Sequence, residues 1–548
     1  MQFDELIKYW SSLDEETKNE IEKIDDPKEI EDRFYKNLEF GTGGMRGIMG
    51  AGPNRMNKYM IAKATKGYAD YLKENYEGDI SIAIAYDSRK NSREFSKTAA
   101  SVLSAENIRV FFFESLMPTP VLSFTVKYLG CKGGIVVTAS HNPKEYNGYK
   151  VYDENGCQLV PSFAKKLIEK VNAVTDLKDI KKNDFDEEVK CGNIEIIGDK
   201  VLDDFLSEVK KQSIYEEKSD LKVIYTPLHG TGNIPVRRIL KDIGINVSVV
   251  KSQELPDGNF STVRSPNPEE KDALTLAIEQ AKKENADLVV GTDPDCDRIG
   301  TAVKYKGEYK LLTGNQMGAI LVNFVLENKK DSLNAKSTLV KTIVTGELGA
   351  DIAKKYGLNV VNTLTGFKYI GEQINKYEKE KDKEFVIGYE ESYGYLVGTH
   401  ARDKDAVVSA MLICQMASYY KNQGRTLIDV LNLLYAEYGY YLDLLDTYLL
   451  KGKDGAEKIA AAMTHMRVNG KDLLPDIKMV EDFSTGIGNL PKENVLKFHF
   501  EDGSWLAARP SGTEPKLKIY YSVKAENMKA AQARIESYRS VLNKIIEG

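Results

Sequence analysis

The sequence predicts an α/β protein built mainly on parallel-type sheets and closed by an α+β tail of another kind. Short apolar strands alternate with helical stretches through most of the 548 residues, the rhythm of βα units. Strand after strand runs into a polar, glycine-rich loop, and roughly the last hundred residues lose the rhythm. The chain is too long for a single core, and about three or four domains of ordinary size account for its length.

Taken in order, Ile80 to Tyr86 runs into Asp87-Ser88-Arg89, and the buried-type strand Gly133 to Val137 into Thr138-Ala139-Ser140-His141-Asn142-Pro143. Val223 to Tyr225 runs into TPLHGTG, Leu288 to Val290 into GTDPDCDR, Val360 to Leu364 into TGFK, and Phe385 to Ile387 into GYEESYGY. Strand exits are where open α/β sheets build their sites. The charged stretches Asp176 to Lys190 and Glu327 to Lys336 read as separators, and Ala406 to about Leu434 as a long helical region. The tail passes through Leu496 to Phe500 and SWLAARPSGTEPKLKIYYSV into a final helix.

A net charge of -6 gives no field for nucleic acid or anionic membrane, so an anionic ligand must be held by local arginines and lysines. The acidic, amphipathic N-terminus does not read as a secretory leader, and apolar runs such as Gly318 to Leu326 fall short of a bilayer span. Five cysteines without a CxxC pair suit neither zinc nor a disulfide framework. A cytoplasmic protein is expected.

Four segments carry chemistry. Ser140 beside His141 is a candidate nucleophile or phosphate carrier, with an ST turn or helix cap before Pro143 as the competing reading. Asp293, Asp295 and Asp297 alternate, so an extended backbone aims three hard oxygen donors one way, as Mg²⁺ or Ca²⁺ requires. An EF-hand fails, since Arg298 and Lys304 stand where its glycine and glutamate belong. In RPSGTEPK, Arg509, Ser511, Thr513 and Lys516 surround a glycine-opened backbone that suits an anion, though a capped turn competes. Glu390, Glu391 and Ser392 could bond sugar hydroxyls or simply crown a helix N-terminus. Arg46 ends the glycine-rich GTGGMRG, and the His400 to Lys404 run adds cations. Carrier, carboxylate trio, polar loop and anion nest together suggest phosphoryl transfer on a phosphosugar.

TASHNP, the aspartate trio, GYEESYGY and RPSGTEPK, in this order and over nearly the whole chain, resemble the α-D-phosphohexomutase superfamily, most closely its phosphoglucomutases. The resemblance implies four domains around a central cleft, three α/β with mixed sheets and a fourth α+β, drawn here at residues 1–200, 201–312, 313–442 and 443–548. It implies a phosphoserine at Ser140, Mg²⁺ on Asp293, Asp295, Asp297 and the phosphoserine, and sugar contacts from Glu390 and Ser392. Arg509, Ser511, Gly512 and Thr513 match the grip on the phosphate that is not transferred, with Lys516 beside them. Arg46, His141, Lys150 and Arg298 match the reacting centre, and Thr365, Gly366 and Lys404 further substrate contacts. Lys150, provided neighbouring cations lower its pKa, and His141 are both candidates for the base. The reaction implied is interconversion of glucose 1-phosphate and glucose 6-phosphate through glucose 1,6-bisphosphate.

The match has departures. Tyr389 and Tyr395 stand where many relatives have glycine and histidine, which bears on sugar preference, and Cys296 stands where glycine or alanine is common, as a tolerated small residue. A phosphomannomutase, a phosphopentomutase and a serine-dependent sugar phosphatase are the rivals.

Overall fold

The computed structural model describes residues 3–41, 43–217, 219–450, 452–511 and 516–547. The chain divides into two compact units, one of Met1–Leu312, Phe367–Gly388 and Ser392–Gln423, the other of Thr313–Gly366, Tyr389–Glu391 and Gly424–Gly548.

In the first unit, helices Phe3–Ser11, Glu15–Glu22 and Pro27–Phe34 precede any strand. Asp14 caps the second by accepting from Thr17 N, and Asp26 with Pro27 opens the third. Their apolar stripes bury Trp10, Ile21 and Phe34 in the core of the first sheet. That sheet holds β1 (Gly44–Ile48), β2 (Ser81–Tyr86), β3 (Arg109–Phe113), β4 (Gly133–Val137), β5 (Tyr146–Tyr152) and β6 (Ile194–Ile197) in the order β1-β5-β4-β2-β3-β6. β2 pairs in parallel with β3 and β4, and β3 with β6. Ile135, Val136 and Val137 of β4 are fully buried, about 1.5–3 kcal/mol of transfer free energy each. The charged stretch Asp176 to Lys190 is not a separator, because β6 follows it and completes this sheet; helix Phe185–Cys191 exposes the charges instead.

The second sheet runs β11-β10-β9-β7-β8, from β7 (Val223–Thr226), β8 (Val247–Val249), β9 (Leu288–Thr292), β10 (Ile299–Tyr305) and β11 (Glu308–Leu312). Its centre is parallel, while β9, β10 and β11 return antiparallel. The expectation of mainly parallel sheets therefore holds only at the sheet centres. Residues 138–145 and 293–298 are too short for a crossover, so β4 turns back into β5, and β9 into β10, as hairpins.

In the second unit β12 (Ser337–Thr342) and β13 (Asn359–Thr363) pair in parallel. β14 (Glu384–Glu390), whose residues up to Gly388 count with the first unit, and β15 (Gly394–Val397), also of the first unit, flank the YEESYG turn. The expected long helix is two, Ala406–Asn422 of the first unit and Leu427–Tyr438 of the second, split at Gly424 and restarted by the Thr426–Asp429 capping box. The tail is one antiparallel sheet, β16 (Tyr440–Leu449), β20 (Lys516–Ala525), β19 (Trp505–Pro510), β18 (Leu496–Phe500) and β17 (Ile477–Asp482) in that order. Ile535, Tyr538 and Leu542 of the last helix share its core with Leu496, Phe498 and Phe500. Among the described residues no helix is long and apolar enough to cross a membrane.

Candidate active site

The β4–β5 hairpin carries Ser140. Thr138 Oγ1 donates to Asp87 Oδ2 (2.6 Å) and accepts from Ser140 N (2.8 Å), so the turn-forming hydroxyl is that of Thr138. Ser140 takes φ +53°, a left-handed conformation that costs a serine about 1–3 kcal/mol and that the surroundings must enforce. Its Oγ donates to Asp293 Oδ2 (2.9 Å) and lies 3.1 Å from His141 Nδ1. No helix follows, so Ser140 is not a helix cap.

The β9–β10 hairpin brings the aspartates. All three are buried, and one oxygen of each lies within 4.8 Å of the others. Cys296 makes the turn at φ +53°, in the left-handed region that favours glycine. Asp293 Oδ1 accepts from the amides of Asp297 and Arg298 (3.1 and 3.0 Å). Asp295 Oδ2 accepts from Thr119 Oγ1 (3.0 Å) and Lys150 Nζ (2.7 Å), and Lys404 Nζ sits 3.2 Å from Asp297 Oδ2. Among the described residues Asp295 Oδ1 and Asp297 Oδ1 are buried without a hydrogen-bond partner. Burial and the two neighbouring carboxylates push the Asp293 carboxyl far above the usual range. Asp295 and Asp297 move down instead: against burial, Lys150 dominates at Asp295, and Lys404 and Lys150 at Asp297, which also feels Asp295 repulsion. Three converging hard donors, two of them with an orphaned oxygen, fit a divalent cation.

Around this pair of loops the cations differ in role. Lys150 stands on β5; burial pulls its pKa down, but Asp295 and Asp297 outweigh that and raise it, so it is an ammonium. Lys404 opposes them without outweighing them, so the condition for a basic Lys150 is not met by the protein's own groups. Burial, with Arg298 and Arg46 nearby, holds the His141 imidazole well below its ordinary pKa, leaving it neutral. Arg46, on β1 opposite Gly148, donates to Asn142 Oδ1 (3.0 Å), and Arg298 pairs with Glu269. GTGGMRG has a firm reason for one glycine: Gly44 has φ +120°, and a Cβ there would lie 1.8 Å from Tyr149 O. Of the His400 to Lys404 run only Lys404 reaches the carboxylates. His400 binds Asp405 (2.7 Å), and the buried Arg402 guanidinium is taken up by Asn375, Thr399 O and Glu378.

The second unit holds other sequence-predicted residues. Glu390 Oε1 accepts from Gly366 N (2.9 Å), and the hydroxyls of Thr342 and Thr345 donate to Glu391 Oε2 (3.3 and 3.1 Å). Thr365 Oγ1 is buried without a partner among the described residues. Arg509, on β19, donates to Glu493 (2.8 Å), and Ser511 N to Lys516 O (2.7 Å). Gly512 and Thr513 lie outside the described residues. Ser392, in the turn after β14, belongs to the first unit. Tyr389 points into the core: a Cβ on Gly318 would meet its ring carbons at 2.5 Å, and one on Gly349 its hydroxyl at 2.3 Å. Thr119, Asp87 and Arg89 are contacts that sequence reasoning did not assign; Asp87 and Arg89 at least stood at a strand exit.

Models of the phosphoglucomutase/phosphomannomutase family match in order: alpha/beta/alpha domain I over residues 37–178, domain II over 203–307, domain III over 313–438 and the C-terminal domain over 454–536. Three α/β domains and a C-terminal α+β domain, with a buried serine set against three carboxylates, are the architecture of the α-D-phosphohexomutase class. The chain belongs to the phosphoglucomutase/phosphomannomutase family. A phosphoglucomutase of Staphylococcus haemolyticus is 38% identical over 523 residues, spanning 93% of this chain and 94% of the relative. One of Staphylococcus aureus is 37% identical over 531 residues, with the same two shares. In fold, the open form of parafusin, a Paramecium phosphoglucomutase, matches with TM-score 0.70 and 16% identity over 94% of this chain and 96% of its own. A family protein of Burkholderia thailandensis matches with TM-score 0.70 and 17% identity over 93% and 98%.

Proposed function

We propose that the protein is a phosphoglucomutase, an isomerase that interconverts glucose 1-phosphate and glucose 6-phosphate through phosphorylated Ser140 and glucose 1,6-bisphosphate. The observation that carries this is the Ser140 hydroxyl, held 2.9 Å from Asp293 and 3.1 Å from His141 in a chain over a third identical to phosphoglucomutases. In the first half-reaction the serine O–P bond breaks as the sugar hydroxyl oxygen bonds to phosphorus. Neutral His141 carries the proton from that hydroxyl to the serine oxygen, which its Nδ1 already faces. The bisphosphate turns around, its other phosphate returns to Ser140, and the proton moves back.

Arg46, Lys150 and Arg298 offset charge on the transferring phosphoryl group, the largest lever in this chemistry. Asp293, Asp295 and Asp297 would hold Mg²⁺ with a phosphoserine oxygen; when bound, the ion supplies further neutralisation of the phosphoryl oxygens. Arg509, Ser511, Gly512, Thr513 and Lys516 take the phosphate that stays, Glu390 and Ser392 the sugar hydroxyls, and Thr365, Gly366 and Lys404 further contacts. Domain limits at residues 200, 312 and 442 are part of the same reading, supported by the four successive family segments, and a cytoplasmic location goes with it. The test is kcat/KM on glucose, mannose and ribose 1-phosphates, with and without glucose 1,6-bisphosphate. Glucose should lead and the bisphosphate should activate; a higher value on ribose or mannose 1-phosphate overturns the assignment.

A further inference from the structure

The Asp87-Ser88-Arg89 exit of β2 has no part in the chemistry above, yet its arginine is buried to 3% exposure beneath the Ser140 loop. One guanidinium gathers four backbone carbonyls. Nη1 donates to Pro143 O (2.8 Å) and Tyr146 O (3.2 Å), and Nη2 to Ser140 O (2.5 Å) and to Asn142 O. Asp87 fixes the arginine from behind, accepting from Arg89 N (2.9 Å) and lying 3.3 Å from Nε, while it also accepts from Ser92 Oγ (2.6 Å) and from the Thr138 hydroxyl that bonds Ser140 N. One face of the guanidinium is covered by Phe260, whose ring centroid is 4.9 Å away. From the same segment Ser265 Oγ donates to His141 O (2.9 Å).

We propose that Arg89, sealed by Phe260, is the positioning residue that imposes the left-handed conformation of Ser140 and so aims its hydroxyl at Asp293. The carbonyls of residues 140, 142, 143 and 146 converge on it only if the chain reverses as it does, and a planar fork with five donors serves four acceptors where an ammonium offers three. The hydrogen bonds of the Arg89 guanidinium go to the loop backbone and none to the Ser140 side chain, while its charge, which also acts on His141, Asp293 and Asp295, is kept in Arg89→Lys. The inference rests on the reading of Ser140 as the phosphate carrier.

The test uses the full-length protein and the variants Arg89→Lys, Arg89→Ala, Phe260→Leu and Ser140→Ala. Arg89→Lys keeps a cation against Asp87 and should fold, yet lose about 100-fold in kcat with little change in KM, the penalty of a misplaced reacting group. Amide hydrogen exchange should rise at residues 138–147 and not across the first sheet. Millimolar guanidinium, far below denaturing concentrations, should restore part of the activity of Arg89→Ala, and Phe260→Leu should loosen the same loop more mildly. The proposal is overturned if Arg89→Lys keeps wild-type kcat, or if exchange rises throughout the sheet and guanidinium restores nothing, which is general destabilisation. The exchange pattern is read without turnover, and an active Ser140→Ala would instead sink the carrier reading, so the two failures are told apart.

Discussion

Ser140 concentrates at one residue what the fold must supply: a non-glycine left-handed φ, a partner carboxylate and a neutral imidazole. If it is the carrier, intact mass of the purified protein shows one phosphate that Ser140→Ala removes along with mutase activity; an unmodified wild-type protein that sugar bisphosphate cannot phosphorylate contradicts it. The neighbouring carboxylates give a separate prediction. Excess Mg²⁺ should raise the thermal midpoint, by the equivalent of about 2.7 kcal/mol at a hundredfold excess over Kd. Asp295→Asn should cancel most of that shift, measured against the same protein in chelator, since it removes the charge of one of three converging carboxylates. Arg509→Ala separates a mutase from a serine-dependent phosphatase, because only the mutase needs a second phosphate position; a large loss of turnover favours the mutase, an unchanged rate the phosphatase. Ser140, the aspartates and Arg509 were legible because their chemistry is local to a motif. Thr119 and Arg89 were not, because each contributes through a contact with a distant segment, Asp295 for one and the 140–146 carbonyls for the other.

At the level of elements, reading the candidate loops as strand exits picked out two loops that do meet, at Ser140 and Asp293, but implied the wrong connection between their strands. Both the Ser140 and the aspartate loops are hairpin turns, because eight and six residues cannot carry a parallel crossover. An apolar run such as Gly133 to Val137 looks the same in either arrangement, so the sense of the next strand was invisible until loop length was weighed. Tyr389 shows a different limit. Its departure from glycine raised doubt about sugar preference, yet the ring fills a notch between helices Gly314–Lys329 and Leu348–Lys355 that Gly318 and Gly349 open. Gly318→Ala should therefore destabilise the second unit by about 1–3 kcal/mol in urea unfolding, the usual penalty of overpacking. The loss should shrink in a Tyr389→Ala background, the coupling expected of touching residues. Tyr389→Phe should leave the glucose to mannose preference unchanged, and a shift in that ratio would place the ring in the substrate's path after all.

For the molecule as a whole, the order of domains was readable from rhythm and motif, but the balance of buried charge was not. Alternation in Leu496 to Phe500 puts Lys497 and His499 on the face opposite the core residues Leu496, Phe498 and Phe500, and such a face is ordinarily wet. Here it is covered. Lys497 is 3% exposed, its Nζ donates to Ile343 O (2.7 Å), lies 4.2 Å from the Trp505 ring centroid and 3.9 Å from Glu347, and His499 is tied to Glu481 (2.6 Å). Burial and the nearby Lys341 pull Lys497 down to about 7 against the pull of Glu347 and Glu481. Glu347 is held at about 2, since Lys341 and Lys497 outweigh the effect of burial. The sign follows from linkage. Between pH 7 and the unfolded lysine value near 10.4, the unfolded chain binds the extra proton, so this group makes stability rise with pH, by up to about 1.4 kcal/mol per unit. Below pH 7 the ammonium is buried in full and its cost is constant. Lys497→Met removes the charge, so its stability relative to wild type should be most favourable at pH 6 and should decline steadily towards pH 10. Thermal unfolding of both proteins across that range measures the difference. A difference that stays flat with pH would mean that Lys497 keeps its proton in the fold, stabilised by the Trp505 face and Glu347 more strongly than burial disfavours it.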